Sequence, residues 1–89
     1  MKYEIHPDLD KILSRLAKRD KLQFEAILKK IDEVLHSSNI EHYKNLRAPL
    51  QRYKRVQVYS SFILLFKKEN DAILFRYYAH HDNIYFFSG

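Results

Sequence analysis

Two stretches of this chain gather side chains able to handle a phosphodiester. Lys44 to Val58, KNLRAPLQRYKRVQV, carries five lysines and arginines and no acid. His80-His81-Asp82-Asn83-Ile84-Tyr85 sets imidazoles, a carboxylate and a phenol close together. Guanidinium and ammonium groups along a strand can hold several phosphates at once, each contact releasing counterions. An imidazole, with an ordinary pKa of ~6.5, can donate or accept a proton near neutrality. A basic strand facing a late His and Tyr is what a small surface needs to hold RNA and cut one of its linkages. Tyr53, Tyr59, Tyr78 and Tyr85 add rings that can stack on unpaired bases, at ~1–3 kcal/mol per base. The competing reading is a solvated basic surface with half-buried strand tyrosines and a histidine pair at a strand end.

The basic patch comprises Lys44, Arg47, Arg52, Lys54 and Arg55, with Lys67, Lys68 and Arg76 nearby. The His80-His81-Asp82 tract also invites a metal. Neighbours on an extended segment point opposite ways, so at most one of the two histidines is expected to share a site with Asp82. No other histidine is placed to complete a tetrahedral set, and no metal is expected. His6, His36 and His42 lack patterned neighbours and read as structural or exposed. No Ser-His-Asp or paired-carboxylate arrangement stands out.

Composition narrows the classes further. The single glycine is Gly89, which excludes P-loops and dinucleotide fingerprints, where the backbone must approach phosphate closely. A chain of 89 residues buries roughly 60–65% of its unfolded surface, so one domain over residues 1–89 is expected, with no deep cofactor cavity and no cofactor. Cysteine is absent, which removes disulfides and thiolate metal sites. No apolar run approaches the ~18 residues of a membrane span, and no signal-peptide core opens the chain. A soluble, cytoplasmic protein without a membrane partner is the expectation. Net charge is +5. Residues 1–40 hold eight basic and seven acidic side chains, whereas residues 41–89 hold eight and four. The excess in the second half favours a polyanionic partner, nucleic acid or an acidic protein segment.

The elements that must position these groups follow from periodicity. Lys2 to His6 alternates as a short strand. Pro7 suits a first helical turn, and Leu9, Ile12, Leu13 and Leu16 mark an amphipathic helix over 8–18. Asp20 with Gln23 is a capping-box pattern opening a second helix to about Leu35. The tight connection predicts an antiparallel helix hairpin. Residues 40–52 read as a loop, with Pro49 barring a central strand. Strand-like runs occupy about 53–59, 61–68 and 72–79, with Asn70 able to take the left-handed turn position. Alternation points Val56, Val58, Phe62, Leu64, Phe66, Ile73, Phe75 and Tyr77 at the helices. It sets Tyr53, Arg55, Gln57, Arg76 and Tyr78 on the other side, which should be basic and aromatic. The predicted class is α+β: an N-terminal strand, a helix hairpin and a three-stranded antiparallel meander, forming one curved sheet.

The block KNLRAPLQRYKRVQVYSSFILLFKK, followed by HHDNIY, resembles the RelE/ParE superfamily of toxins from bacterial and archaeal type II toxin–antitoxin pairs. The shared frame is a Leu-x-x-Pro-Leu loop, a Tyr/Arg/Val-rich strand, an aromatic-aliphatic strand and a terminal His-x-x-x-Tyr/Phe. It looks most like the YafQ-like branch, over roughly residues 42–85. The resemblance implies a helix hairpin on a curved sheet. It also implies ribosome-dependent endoribonuclease activity on mRNA, and an antitoxin that wraps the toxin in a hetero-oligomeric complex.

By the same resemblance, His81 falls at the late catalytic histidine and Tyr85 at the terminal aromatic position. Lys44 lies at an upstream position that is His in that branch. Arg55 matches the basic strand residue used against the scissile phosphate, and Gln57 sits where a second His occurs. Ser61 replaces an Asp, and Ile63 a frequent Arg. His81 is then the expected general acid and Tyr85 the group that orients or stacks on the base. Arg55 and Lys44 would stabilise charge, and Gln57 would supply a hydrogen bond. Arg47, Arg52, Lys54 and Arg76, with Tyr53, would bind flanking RNA. Two alternatives share the fold: a ParE-like gyrase poison, and a catalytically weakened homologue that binds antitoxin or nucleic acid, which the departures at Gln57, Ser61 and Ile63 make credible.

Overall fold

The computed structural model describes residues 2–86. The elements are β1 (Lys2–Ile5), α1 (Pro7–Arg19), α2 (Lys21–Leu35), β2 (Lys54–Gln57), β3 (Phe62–Glu69) and β4 (Ala72–His80), with short 3-10 turns at Ile40–His42 and Ile84–Phe86. His6 caps α1: its Nδ1 accepts the Asp8 amide at 3.0 Å, and Pro7 fills the first helical turn. Asp20 serves both helices. Its own amide donates to Leu16 O, and its carboxylate accepts from the amide and the side chain of Gln23 at 3.1 and 3.0 Å. One residue thus closes α1 and opens α2, which forces the hairpin.

The sheet order is β1-β4-β3-β2. The expected antiparallel meander is present, and Asn70 holds its β3–β4 turn with φ 58°. Strand β1 adds in parallel beside β4, so the sheet is mixed, not wholly antiparallel. The reason lies in segment 36–53, which passes back along the edge of β2 and pairs there through an Asn45–Lys54 bridge. That return lets β2 start in the direction of β1, and β4, two antiparallel steps later, shares it.

Apolar side chains pack on both faces of the sheet. Leu9, Leu13, Ile27, Ile31 and Val34 of the helices meet Leu64, Phe66, Ile73, Phe75 and Tyr78. On the opposite face Leu46, Leu50, Tyr53, Ile63, Leu65 and Ile84 form a second buried cluster. The expectation of a wholly basic and aromatic second face is therefore corrected. Ile63, Leu64, Leu65 and Phe66 are all buried, as befits a strand covered on both sides.

A β-bulge in the β3–β4 pairing corrects the predicted parity of β4. Leu65 pairs with Tyr77 and Phe66 with Phe75, so Arg76 is the extra residue. Beyond it every side chain changes face. Tyr78 enters the helix-side core, while Tyr77 packs against the second cluster. Arg76 does not stand beside Arg55; its Nη1 lies 3.0 Å from the Asp8 carboxylate and 3.1 Å from His6 Nδ1, at the start of α1.

Candidate active site

The end of the sheet beyond β2 and β4 holds a small hollow of about 200 Å³ lined by Arg55, Gln57, Ser60, Ser61, Ile63 and His81. Strand β2 supplies Arg55 and Gln57, which alternate onto the face opposite the helices. Buried Ile63 forms apolar floor where the resemblance would place an arginine. The Gln57 side-chain amide donates to the Ser60 carbonyl, closing the rim.

His81 follows directly on β4, and its backbone fixes it. Its amide donates to Ser61 O at 2.8 Å, and the Asn83 amide donates to His80 O at 2.8 Å. The Asp82 amide donates to His80 Nδ1 at 3.1 Å. Ile84, fully buried in the second cluster, pins the far end of this turn. The imidazole of His81 is half exposed, with Nδ1 3.2 Å from Asp82 Oδ1. The chain leaves the extended conformation at His80, so both imidazoles and the Asp82 carboxylate stand on one turn. This corrects the expectation that only one histidine could join Asp82: the ring centroids of His80 and His81 are 4.7 Å apart.

Lys44 is brought beside Arg55 by pairing. The Arg55 amide donates to Lys44 O at 2.8 Å, and the neighbouring bridge sets the two residues opposite one another across the pair. Directly opposed residues share a face. Lys44 flanks the hollow without lining it. Tyr85 also stands outside the hollow, under Arg47. The Arg47 guanidinium carbon lies 4.6 Å from the Tyr85 ring centre, and its amide and Nε donate to the phenol oxygen at 3.1 and 3.3 Å. These hydrogen bonds, with the charges of Arg47 and Arg55, hold the Tyr85 phenol below its ordinary pKa.

Three expected RNA contacts are corrected by burial or pairing. Tyr53 is 2% exposed and its ring is covered, with Arg52 5.2 Å and Lys67 5.6 Å from its centre, so it is closed to a base. Lys54 is buried on the helix face, its ammonium donating to Tyr43 O at 3.3 Å and Asn45 Oδ1 at 3.2 Å. Arg76 is held by Asp8, as described above. Arg47 remains exposed beside Tyr85, and Arg52 is exposed over Tyr53. Residue types alone missed the backbone role of Ser61, whose carbonyl holds His81, and gave Asp82 only as a partner of one histidine, whereas it stands between two imidazoles. The adjacency of Asp82 to the histidines was the available signal for the second.

No protein-family model matches the chain. A chain of Methanocaldococcus jannaschii named "Putative toxin RelE4" is 51% identical over 84 residues, covering 92% of this chain and 87% of that one. An uncharacterized protein of Methanosarcina mazei is 42% identical over 84 residues, covering 92% and 95%. Among solved structures, YafQ from E. coli strain BL21(DE3) superposes with a TM-score of 0.67 at 16% identity, covering 94% of this chain and 97% of that one. The chain of the E. coli DinJ–YafQ complex that matches does so with a TM-score of 0.62 at 17% identity, covering 94% and 97%. A hairpin of helices on this mixed sheet is the fold these structures share, and at 51% identity across nearly the whole length the chain belongs to the RelE family of toxins.

Proposed function

We propose that this protein is the toxin of a toxin–antitoxin pair and acts as a metal-independent endoribonuclease on mRNA in the ribosome. The observation that carries this reading is that Arg55 and His81, far apart in sequence, line one open hollow. In the proposed reaction the substrate 2′-oxygen attacks the adjacent phosphorus in line. The bond from phosphorus to the 5′-oxygen breaks, leaving a 2′,3′-cyclic phosphate and a free 5′-hydroxyl. A base takes the 2′ proton, and His81 as general acid protonates the departing 5′-oxygen. Arg55, with Lys44 beside it, stabilises the added negative charge of the transition state. Gln57 supplies a hydrogen bond at the rim, and Tyr85 orients the neighbouring base. Arg47 and Arg52 hold flanking phosphates or ribosomal RNA.

One proton-transfer group contributes about 10²–10⁴-fold. Alignment of the reacting atoms can supply ~7–11 kcal/mol more. A hollow of only about 200 Å³ does little alignment of an RNA chain by itself, so the ribosome is assigned that task, and the site of action is cytoplasmic. The partner that restrains the toxin is an antitoxin, the role suggested by the YafQ complex with DinJ. It would cover the sheet edge and mask Arg52 and Arg55 in a hetero-oligomer. In a translation extract, added protein should cut ribosome-bound mRNA and leave the same RNA intact when ribosomes are omitted. Intact mRNA with DNA-damage filamentation on expression would instead favour a gyrase poison, and normal growth with antitoxin binding preserved would favour a binding module.

A further inference from the structure

The turn after β4 carries a cluster of which the nuclease reading uses only His81. His80, His81 and Asp82 each offer a ligand atom, and all three lie within 4.8 Å of one another. The Asp82 carboxylate stands between the two rings, Oδ1 3.2 Å from His81 Nδ1 and Oδ2 3.5 Å from His80 Nδ1. Zinc binds imidazole nitrogen and carboxylate oxygen at ~2.0–2.2 Å in a tetrahedron, which separates neighbouring ligand atoms by roughly 3.3–3.5 Å. The His81 spacing is close to such an edge, and a small turn of the carboxylate and the His80 ring would bring one Asp82 oxygen to serve both imidazoles. Two imidazoles and one carboxylate suit a divalent transition cation far better than magnesium or calcium. The turn is also stiffened before any ion arrives. The His81 and Asn83 amides are both bonded to backbone carbonyls, and the His80 ring packs edge-on against Phe62 with centroids 5.4 Å apart. His80 Nδ1 accepts the Asp82 amide, so a metal on this ring takes the place of that hydrogen bond.

We infer that His80, His81 and Asp82 form an inhibitory site for a divalent transition cation of the zinc class. The inhibitory part rests on the assignment of His81 as general acid. A metal on one ring nitrogen takes the place of the second proton. A cation held by His81 therefore draws this ring to the turn and away from the leaving oxygen, so metal binding and proton delivery compete for the same side chain. The fourth position stays open to water, because the turn is exposed on its outer side. Arg55 lines the hollow with His81 and opposes a cation there, so the ion sits on the His80 side of the turn.

The test begins with calorimetric titration of zinc chloride into the purified full-length chain. One zinc per chain is expected. His80→Ala and Asp82→Asn should each weaken binding by about tenfold or more, since even outer-shell partners of a metal are worth about 10–100-fold. Circular dichroism confirms that the variants fold. Failure of the wild type to bind zinc, or equal binding by both variants, overturns the site and leaves the nuclease reading untouched. Cleavage of ribosome-bound mRNA is then compared with and without zinc for each variant separately. Zinc should slow the wild type and leave the rate of His80→Ala unchanged relative to its own zinc-free value. Tight binding with no slowing overturns the inhibition. A chain that cuts nothing in either condition counts against the nuclease reading alone, and the titration still decides the site.

Discussion

Arg47 and Tyr85 make a specific contact outside the hollow. The phenol oxygen accepts two Arg47 hydrogen bonds, from the amide and from Nε, while the guanidinium lies over the ring. These bonds hold the phenol below its ordinary 10.0, with Arg55 adding to the effect. The phenolate therefore favours the folded state. Its stabilisation is present above the ordinary value and is lost as pH falls through the lowered one. Arg47→Ala should raise one tyrosine back toward its ordinary titration in ultraviolet difference spectra, and an unchanged titration would show that Arg47 does not set it. That Arg55 and Gln57 share a strand face was legible at this scale because alternation marks it, whereas His81 was singled out by the resemblance and reaches the same hollow through the turn after β4. The roles of Tyr53, Lys54 and Arg76 were not, because a charged or aromatic side chain is the same letter whether it meets solvent, a carbonyl or a carboxylate. Lys54 is the clearest case: it sits in a basic run, yet its ammonium is satisfied by Tyr43 O and Asn45 Oδ1.

The β3–β4 pair shows what alternation can and cannot give. The strands, the helix hairpin and the Asp20–Gln23 cap were all readable, because periodicity and capping chemistry are local. The bulge at Arg76 was not, since one extra residue in a pairing leaves no mark on the pattern of either strand. Its consequence is large. Tyr78 turns toward the helices, where its hydroxyl donates to Gln23 Oε1 at 2.5 Å, and Gln23 in turn donates to Asp20. This chain of hydrogen bonds ties the sheet to the helix turn. Tyr78→Phe strands the Gln23 acceptor in a buried position and should cost about 1–3 kcal/mol in denaturant unfolding. A midpoint equal to that of the wild type would show that the bond contributes nothing. Burial above all, then the nearby Asp20 charge, pushes the Tyr78 pKa well above its ordinary value. The sign follows: its contribution is complete below about pH 10 and is lost as pH rises further. Tyr78→Phe should therefore lose less stability than the wild type on going to strongly alkaline pH.

Across the whole molecule, the second apolar cluster links stability to the site. Ile84 and Ile63 belong to it, and these residues flank or floor the hollow. The unbroken apolar run of β3 carried the signal for a strand covered on both faces, but the cover comes from Leu46 and Leu50 in a segment without regular structure, which no period announces. Ile84→Ala should cost about 2–5 kcal/mol, and Ile84→Val only about 0.5–1.5 kcal/mol. Losses of equal size would mean that Ile84 does not pack as described. If Ile84 also anchors the His81 turn, cleavage should fall more for the alanine variant than for the valine variant, under conditions where both remain folded. Among the described residues no helix is long and apolar enough to cross a membrane, and the basic surface around Arg55 remains open to a polyanion. The most direct test of the account is to map cleaved mRNA by primer extension in a translation extract, comparing the wild type with His81→Ala at equal folded concentration. Discrete cleavage by the wild type, reduced by about 10²-fold or more in His81→Ala, is the predicted result; equal cleavage by both would remove His81 from the chemistry and contradict the account.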